Sequence, residues 1–455
     1  MALDATTVKN TLTDLCDEYR QHNGFNSQDY MTYGVKRGLR NPDGTGVMAG
    51  LTNICNVHGF MMADGERVPD EGKLTYRGID VNDIVNACIE ENRFGFEETA
   101  WLLLFGSLPT QEHLEHFKKT LSHFRELPEN FAEDMILKMP SRDIMNKLAR
   151  SVLVLYSFDP NPDDTSLENI MRQSIQLIGS LPTIMTYAYQ VKRRAFDKQS
   201  MFFHPIDASL STSESILRAL RPDMKFTDSE AKLLDLCMIL HAEHGGGNNS
   251  TFSTRVLSSS GTDTYSAIAA AIGSLKGPRH GGANLRVRSM MEELKAGVKD
   301  WEDEEEVADY LEAIIKKEHG DGSGLIYGFG HAVYTLSDPR AVILKRTADK
   351  IAREKNMTAE FNLYKTVEKL TPSVFERVKG SSKTICANVD FYSGFVYDML
   401  GIPSDLFTPL FAVSRIAGWC AHRIEEVTYG GRIIRPAYRS MVHSKKYIPV
   451  SERNA

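Results

Sequence analysis

Between Gln173 and Val191 the chain carries no charged residue. A stretch of that length could cross a bilayer as a helix. It also carries Gln173, Ser174, Gln176, Thr183, Thr186 and Gln190, with Pro182 at its middle. So many hydrogen-bonding side chains suit a protein interior, where neighbouring chain can satisfy them, better than lipid. The stretch therefore reads as a helix buried on every side and bent at its proline. Such a helix needs a shell of other helices. With 455 residues, 42% of them hydrophobic and 25% charged, the chain can build that shell and is long enough for two domains.

The remaining pattern agrees. From about Val81 onward it is helical for most of the length. Thr165 with Glu168, and Thr227 with Glu230, read as capping boxes opening helices. The first helix has Leu167, Ile170, Met171, Ile175 and Ile178 on one face, and the second a stripe of Leu234, Cys237, Met238 and His241. Tyr265–Leu275 is small or apolar nearly all round, the mark of a helix with no exposed side. Residues 301–318 run from WEDEEE to KKEH, charges that complement a helix dipole, with Gly320 as the stop. A last helix over about 407–427 buries Arg415 among Phe411, Ala412, Ile416 and Trp419. Before all this, Asn53–Leu74 holds short β-prone runs broken by ADG and DEG, which predict a hairpin. Val8, Leu12 and Leu15 predict a short amphipathic helix that packs on the body or on a neighbouring subunit. The predicted class is mainly α, with a small N-terminal β-hairpin region.

Composition excludes some functions. A net charge of −7 argues against a general nucleic-acid binder. The six cysteines never form a CxxC pair and read as buried thiols of a reducing compartment. The N-terminus lacks an apolar h-region. The expectation is a soluble cytoplasmic protein with no membrane and no nucleic-acid partner.

Chemistry concentrates between His241 and Asn284. His241 and His244 end a helical run and give way to Gly245, Gly246 and Gly247, while His280 sits in GPRHGGAN. Histidine exchanges protons near neutrality, and glycine lets a ligand approach backbone. Further on stand GFGHAVYTLSDPR (328–340), NVDFYSG (388–394), FAVSR (411–415) and RIIRP (432–436). Other readings stay open residue by residue. Asp390 of NVDFYSG could cap a helix, a lone arginine could form a surface ion pair, and a satisfied histidine could be core. Arg415 differs, because a charge inside an apolar helical stretch must be paired.

Together and in this order, these five motifs resemble the citrate synthase family over roughly residues 50–440. The resemblance implies a two-domain helical fold, with a large domain of about 1–280 continued by 391–455 and a small one of about 281–390. It implies condensation of acetyl-CoA with oxaloacetate and water to give citrate and CoA, the entry step of the tricarboxylic acid cycle. The near alternative is 2-methylcitrate synthase, using propionyl-CoA. Asp390 matches the family's base, His280 its donor to the thioester oxygen and His331 the residue that polarises the ketone. His244 matches a second histidine on oxaloacetate, and Arg340, Arg415 and Arg435 match its carboxylate clamps. Planar guanidinium forks suit carboxylates. Arg435 would enter from a second subunit, making the active unit a homodimer with a composite site. CoA contacts are implied for Lys383 and for Gly328, Phe329 and Gly330. Thr335 departs from the family, which usually has Arg or Lys there, aimed at phosphate. No cofactor and no metal are implied, acetyl-CoA being a substrate. Two unrelated classes remain on the residues alone: a metal-dependent hydrolase using His241, Glu243 and His244, whose spacing is not HExxH, and a helical scaffold without activity.

Overall fold

A computed structural model describes residues 5–24, 26–380 and 384–453. Helix makes up 59% of the protein. Two helices dominate the core. Leu167–Ala195 buries Leu177, Ile178, Leu181, Ile184 and Met185, and runs on through Pro182. It packs against Phe407–Glu425, in which every residue from Phe407 to Arg423 is buried. Full burial of one Leu or Ile contributes about 1.5–3 kcal/mol, so this pair anchors the body. The polar residues that spoke against lipid are satisfied internally. Ser174 Oγ donates to the Ile170 carbonyl (2.7 Å), Gln173 Nε2 to Asp159 (2.9 Å) and Thr186 Oγ1 to the Thr183 carbonyl (3.1 Å). Among the described residues no helix is long and apolar enough to cross a membrane.

The expected all-buried helix is Thr264–Lys276, with Tyr265, Ala267, Ile268, Ala271 and Ile272 fully enclosed. Two expected ends move. Ser166, not Thr165, caps Leu167–Ala195, its side chain accepting from the Asn169 amide. Both hydroxyls stand three residues before a polar partner, so the pattern does not separate them. The 301–318 run is helical only over Glu304–Ile315, because Asp303 takes the Glu305 and Glu306 amides. The chain leaves that helix at Lys317, left-handed at φ 69°, before Gly320 is reached.

The hairpin is present: β1 (Cys55–Ala63), β2 (Glu66–Tyr76) and β3 (Ile79–Asp80) form one sheet in that order. β2 pairs antiparallel with β3, Thr75 with Asp80 and Tyr76 with Ile79. The two-residue turn between them has both φ positive, Arg77 at 50° and Gly78 at 87°, as a type I′ turn requires. The chain forms two compact units. One comprises the residues up to Leu51 together with Met62–Val68, and the other Thr52–Met61 together with Pro69 onward. The first holds helices Ala5–His22 and Ser27–Thr32, and Leu12 and Leu15 are exposed there. The functional residues discussed below all belong to the second.

Candidate active site

Thr227 and Glu230 form the expected capping box, each side chain accepting the other's amide. The helix they open, Asp228–His241, delivers the histidine cluster, and Gly245 at φ 87° turns the chain away. The three polar side chains at this helix end serve different partners. His241 stacks on Phe411 at 4.1 Å, Glu243 Oε1 lies 3.1 Å from His422 Nε2, and His244 Nε2 lies 3.2 Å from the Tyr334 hydroxyl. Burial holds the His241 and His244 imidazoles well below their ordinary pKa, helped at His241 by Arg415 and at His244 by Arg340. His244 is therefore a neutral ring at physiological pH.

His331 stands opposite, its ring 5.1 Å from His244 and stacked on Tyr334 at 4.7 Å. The loop fixes its tautomer. Nδ1 accepts the backbone amides of Val333 (3.0 Å) and Tyr334 (3.2 Å), so the ring proton sits on Nε2 as a donor. Gly328 and Gly330, at φ 82° and 83°, lace this loop to the chain before Asp390. The Gly330 amide donates to Cys386, the Asn388 amide to Gly328, and Asn388 Nδ2 to Gly330.

Asp390 is the second residue of helix Val389–Met399. Capping falls to Asn388, whose Oδ1 accepts the Asp390 amide at 3.0 Å. The Asp390 carboxylate is thus free of cap duty and accepts no hydrogen bond from another described residue. Burial pushes it up to about 6, against the pull of Arg340 and Arg415. His280 lies just before helix Ala283–Gly297, held through Nε2 by Ser250 Oγ at 3.0 Å. Burial, then the charge of Arg415, lowers it to about 4, so it too is neutral. The following Gly281 is a packing necessity, since a Cβ there would sit 2.3 Å from the Leu275 carbonyl.

Two cations complete the cluster. Arg340 is 3% exposed and bidentate to Asp338, through Nε at 3.0 Å and Nη2 at 2.7 Å. Burial opposes its charge, but Asp338 more than restores it. Arg415 is 1% exposed. Its Nε donates to the His241 carbonyl at 2.6 Å, while Nη1 and Nη2 find no partner among the described residues. Buried polar groups are nearly always hydrogen-bonded, and two bare donors on one cation mark a place made for an anion.

The structure thus gathers His244, His280, His331, Arg340, Asp390 and Arg415. Arg435 shares no contact with them. It is exposed beyond Gly431 and makes no hydrogen bond or ion pair with another described residue. Lys383 lies outside the described residues. Tyr392, two residues after Asp390, sends its hydroxyl to Glu368, donating to Oε2 at 2.6 Å. Three participants stand outside the roles that the resemblance implies. Tyr334 joins His244, His331 and Arg340. Asp338 holds Arg340 and also accepts the Val389 amide at 3.2 Å. His422 lies between Glu243 and Arg255, its Nδ1 2.7 Å from Arg255 Nη2. Asp338 alone had a readable sign, since Asp-Pro is a helix start, and here it caps Pro339–Glu354.

The family match and the relatives of this chain make it an enzyme of the acyl-to-alkyl transferase class, EC 2.3.3. The family described as citrate synthase, C-terminal domain, matches residues 41–437. A citrate synthase of Synechocystis sp. is 35% identical over 387 residues, covering 84% of this chain and 89% of that protein. A 2-methylcitrate synthase 1 of Corynebacterium glutamicum is 34% identical over 437 residues, 92% of this chain and 98% of its own. The crystal structure of citrate synthase from Thermotoga maritima superposes with a TM-score of 0.71 at 29% identity, covering 92% of this chain and all of that one. The chain belongs to the citrate synthase family.

Proposed function

We propose that the protein condenses acetyl-CoA with oxaloacetate and water to give citrate and CoA. The observation that carries this is the pair of unpartnered donors on buried Arg415, beside Arg340 and the neutral imidazoles of His244 and His280. That set suits a small dianion bearing one ketone. A citrate synthase from Thermoplasma acidophilum, 27% identical with a TM-score of 0.71, was solved as a ternary complex with carboxymethyl coenzyme A and oxaloacetate. In our reading Arg340 and Arg415 take the carboxylates, and His244 with the Nε2 proton of His331 holds the ketone oxygen. Asp390 removes a proton from the acyl methyl while neutral His280 donates to the thioester oxygen. The carbon so activated attacks the polarised ketone, whose oxygen is protonated. Water then cleaves the thioester, releasing CoA. Gly328, Phe329, Gly330 and Lys383 are our candidates for CoA contacts.

The acyl group is the finer choice. A Cβ at Gly328 would lie 2.8 Å from Phe391 Cβ, so the chain beside the base is close-packed. This supports the smaller acyl group, while the Corynebacterium relative keeps propionyl-CoA as the second reading. A thiol-release assay with oxaloacetate and an acyl-CoA panel decides. The expected kcat/KM for acetyl-CoA exceeds that for propionyl-CoA by at least roughly tenfold, the scale of one methylene. A propionyl preference, or equal values, would make this a 2-methylcitrate synthase; no thiol release with any acyl-CoA would sink the reaction class.

Residues 281–390 are proposed as a smaller domain that closes on oxaloacetate, because His331 and Arg340 lie within it and His244 and Arg415 outside. The active unit is proposed as a cytoplasmic homodimer, and six free cysteines suit a reducing compartment. Arg435, without a partner among the described residues of its own chain, would complete the second subunit's site. Mixing inactive Arg435→Ala with inactive Asp390→Asn should then restore part of the activity, since hybrids hold one intact composite site. Subunits that demonstrably exchange without regaining activity would confine Arg435 to its own chain.

A further inference from the structure

The hairpin touches both loops that carry the oxaloacetate histidines, and it does so at glycines. On β1, a Cβ at Gly59 would lie 2.8 Å from the Val333 carbonyl oxygen and 2.9 Å from Tyr334 Cα. On β2, a Cβ at Gly72 would lie 2.1 Å from the Ser337 carbonyl oxygen and 3.0 Å from Pro339 Cδ. Neither glycine has a positive φ, so backbone conformation does not demand them. Close approach does. The contact is also bonded. Thr335 Oγ1 donates to the Gly59 carbonyl at 3.1 Å, the Gly72 amide donates to Ser337 Oγ at 3.1 Å, and Ser337 Oγ donates to the Glu71 carboxylate.

The same strands reach the other histidine. Tyr76, fully buried at the end of β2, has its hydroxyl 3.0 Å from the Ile239 carbonyl and 3.1 Å from the Glu243 carbonyl. On β1, Val57 Cγ2 would lie 3.1 Å from a Cβ on Gly245. Gly72 and Tyr76 share one strand, so the loop of His331 and the turn of His244 are gauged against one stiff ruler. Thr335 is the loop's own bond to the neighbouring strand, β1, at Gly59.

We propose that the base of the hairpin, through Gly59, Gly72 and Tyr76, is the positioning element that sets His331 and Arg340 against His244 for oxaloacetate. None of these residues touches the substrate. They act through the loop 333–339 and the turn 242–245. The proposal rests on the reading of this cluster as an oxaloacetate site.

Calorimetric binding of oxaloacetate tests it, alongside circular dichroism for folding. Gly72→Ala is expected to keep its helical spectrum and to lose at least roughly tenfold in affinity, since the added methyl must push Ser337 and Pro339 aside. Thr335→Val and Ser337→Ala remove bonds without adding bulk. Each should lose roughly two- to tenfold, the scale of one hydrogen bond, and Thr335→Ser should restore the loss. The KM for acyl-CoA should stay near wild type in all of them. Variants that melt earlier yet bind oxaloacetate as wild type does would reduce the hairpin to a structural prop and overturn the proposal, even if Gly72→Ala itself failed to fold. Wild-type protein that binds no oxaloacetate would overturn the site reading and this proposal together. Wild-type binding left unchanged by Thr335→Val and Ser337→Ala overturns the proposal alone.

Discussion

Asp390→Asn is expected to fold normally, to lose roughly 10²- to 10⁴-fold in turnover, and to resist unfolding at pH 8 at least as well as wild type. The loss is the scale for removing a positioned general base. The fold should survive because Asn388, not Asp390, caps helix Val389–Met399, and no described residue donates to the Asp390 carboxylate. Stability follows from burial, which lifts this carboxyl to about 6 despite Arg340 and Arg415. An acid whose pKa rises on folding holds its proton more tightly in the folded state. Its ionisation therefore weakens the fold as pH climbs from the ordinary carboxylate value through about 6, and the full cost is present above that. Asparagine cannot ionise. The Tm difference in favour of the variant should grow from about pH 4 to pH 8, following that linkage. In wild type, kcat/KM should fall on the acid side of about 6, where the free enzyme's base becomes protonated. Near-normal turnover of the variant would end the assignment of Asp390 as base. A variant less stable than wild type at pH 8 would end the account of its pKa.

Helices were legible because burial writes a period into the chain. Thr264–Lys276 shows it, small and apolar all round and enclosed all round. The motif residues were legible by resemblance, and Arg415 by physics as well, since a guanidinium amid Phe411, Ala412 and Ile416 has nowhere to ionise cheaply. What stayed hidden lies between segments. Tyr334 meets His244 across 90 residues of sequence, and Thr335 meets Gly59 across 276. A period reports which face is inward, not what it faces. For the same reason Gly72, in DEG, reads as a break in a hairpin, when it is a place where another loop comes close. Phe391 and Tyr392, which follow Asp390, show the converse. Neighbours in sequence with rings 5.1 Å apart, they still take different partners, because successive residues on a helix point about 100° apart: Phe391 packs on Phe329 and the Tyr392 hydroxyl goes to Glu368.

Arg415→Met is expected to cost little stability and most of the affinity for oxaloacetate. An arginine held for structure would have its donors matched. Here only Nε is, by the His241 carbonyl, and two Nη groups sit in the interior unpaired. Burial pulls the guanidinium's pKa down, and Glu243 is the largest charge opposing that fall. Arginine still keeps its proton in proteins, so the chain carries a cation that it does not fully compensate. Replacing buried ionic groups by apolar ones of similar volume is often neutral or stabilising. Against this stands the bare His241 carbonyl, worth about 1–3 kcal/mol, so the two effects leave Tm close to wild type. Binding has no such offset. Truncating one side of a buried charge pair costs about 2–5 kcal/mol, roughly 30- to several-thousand-fold in Kd. Oxaloacetate at about 100 times the wild-type Kd should stabilise wild type by about 2.7 kcal/mol and the variant by less than about 1 kcal/mol. A variant that melts far below wild type yet still shifts as far as wild type with oxaloacetate would make Arg415 a structural residue, and its unpaired donors would then need another ligand.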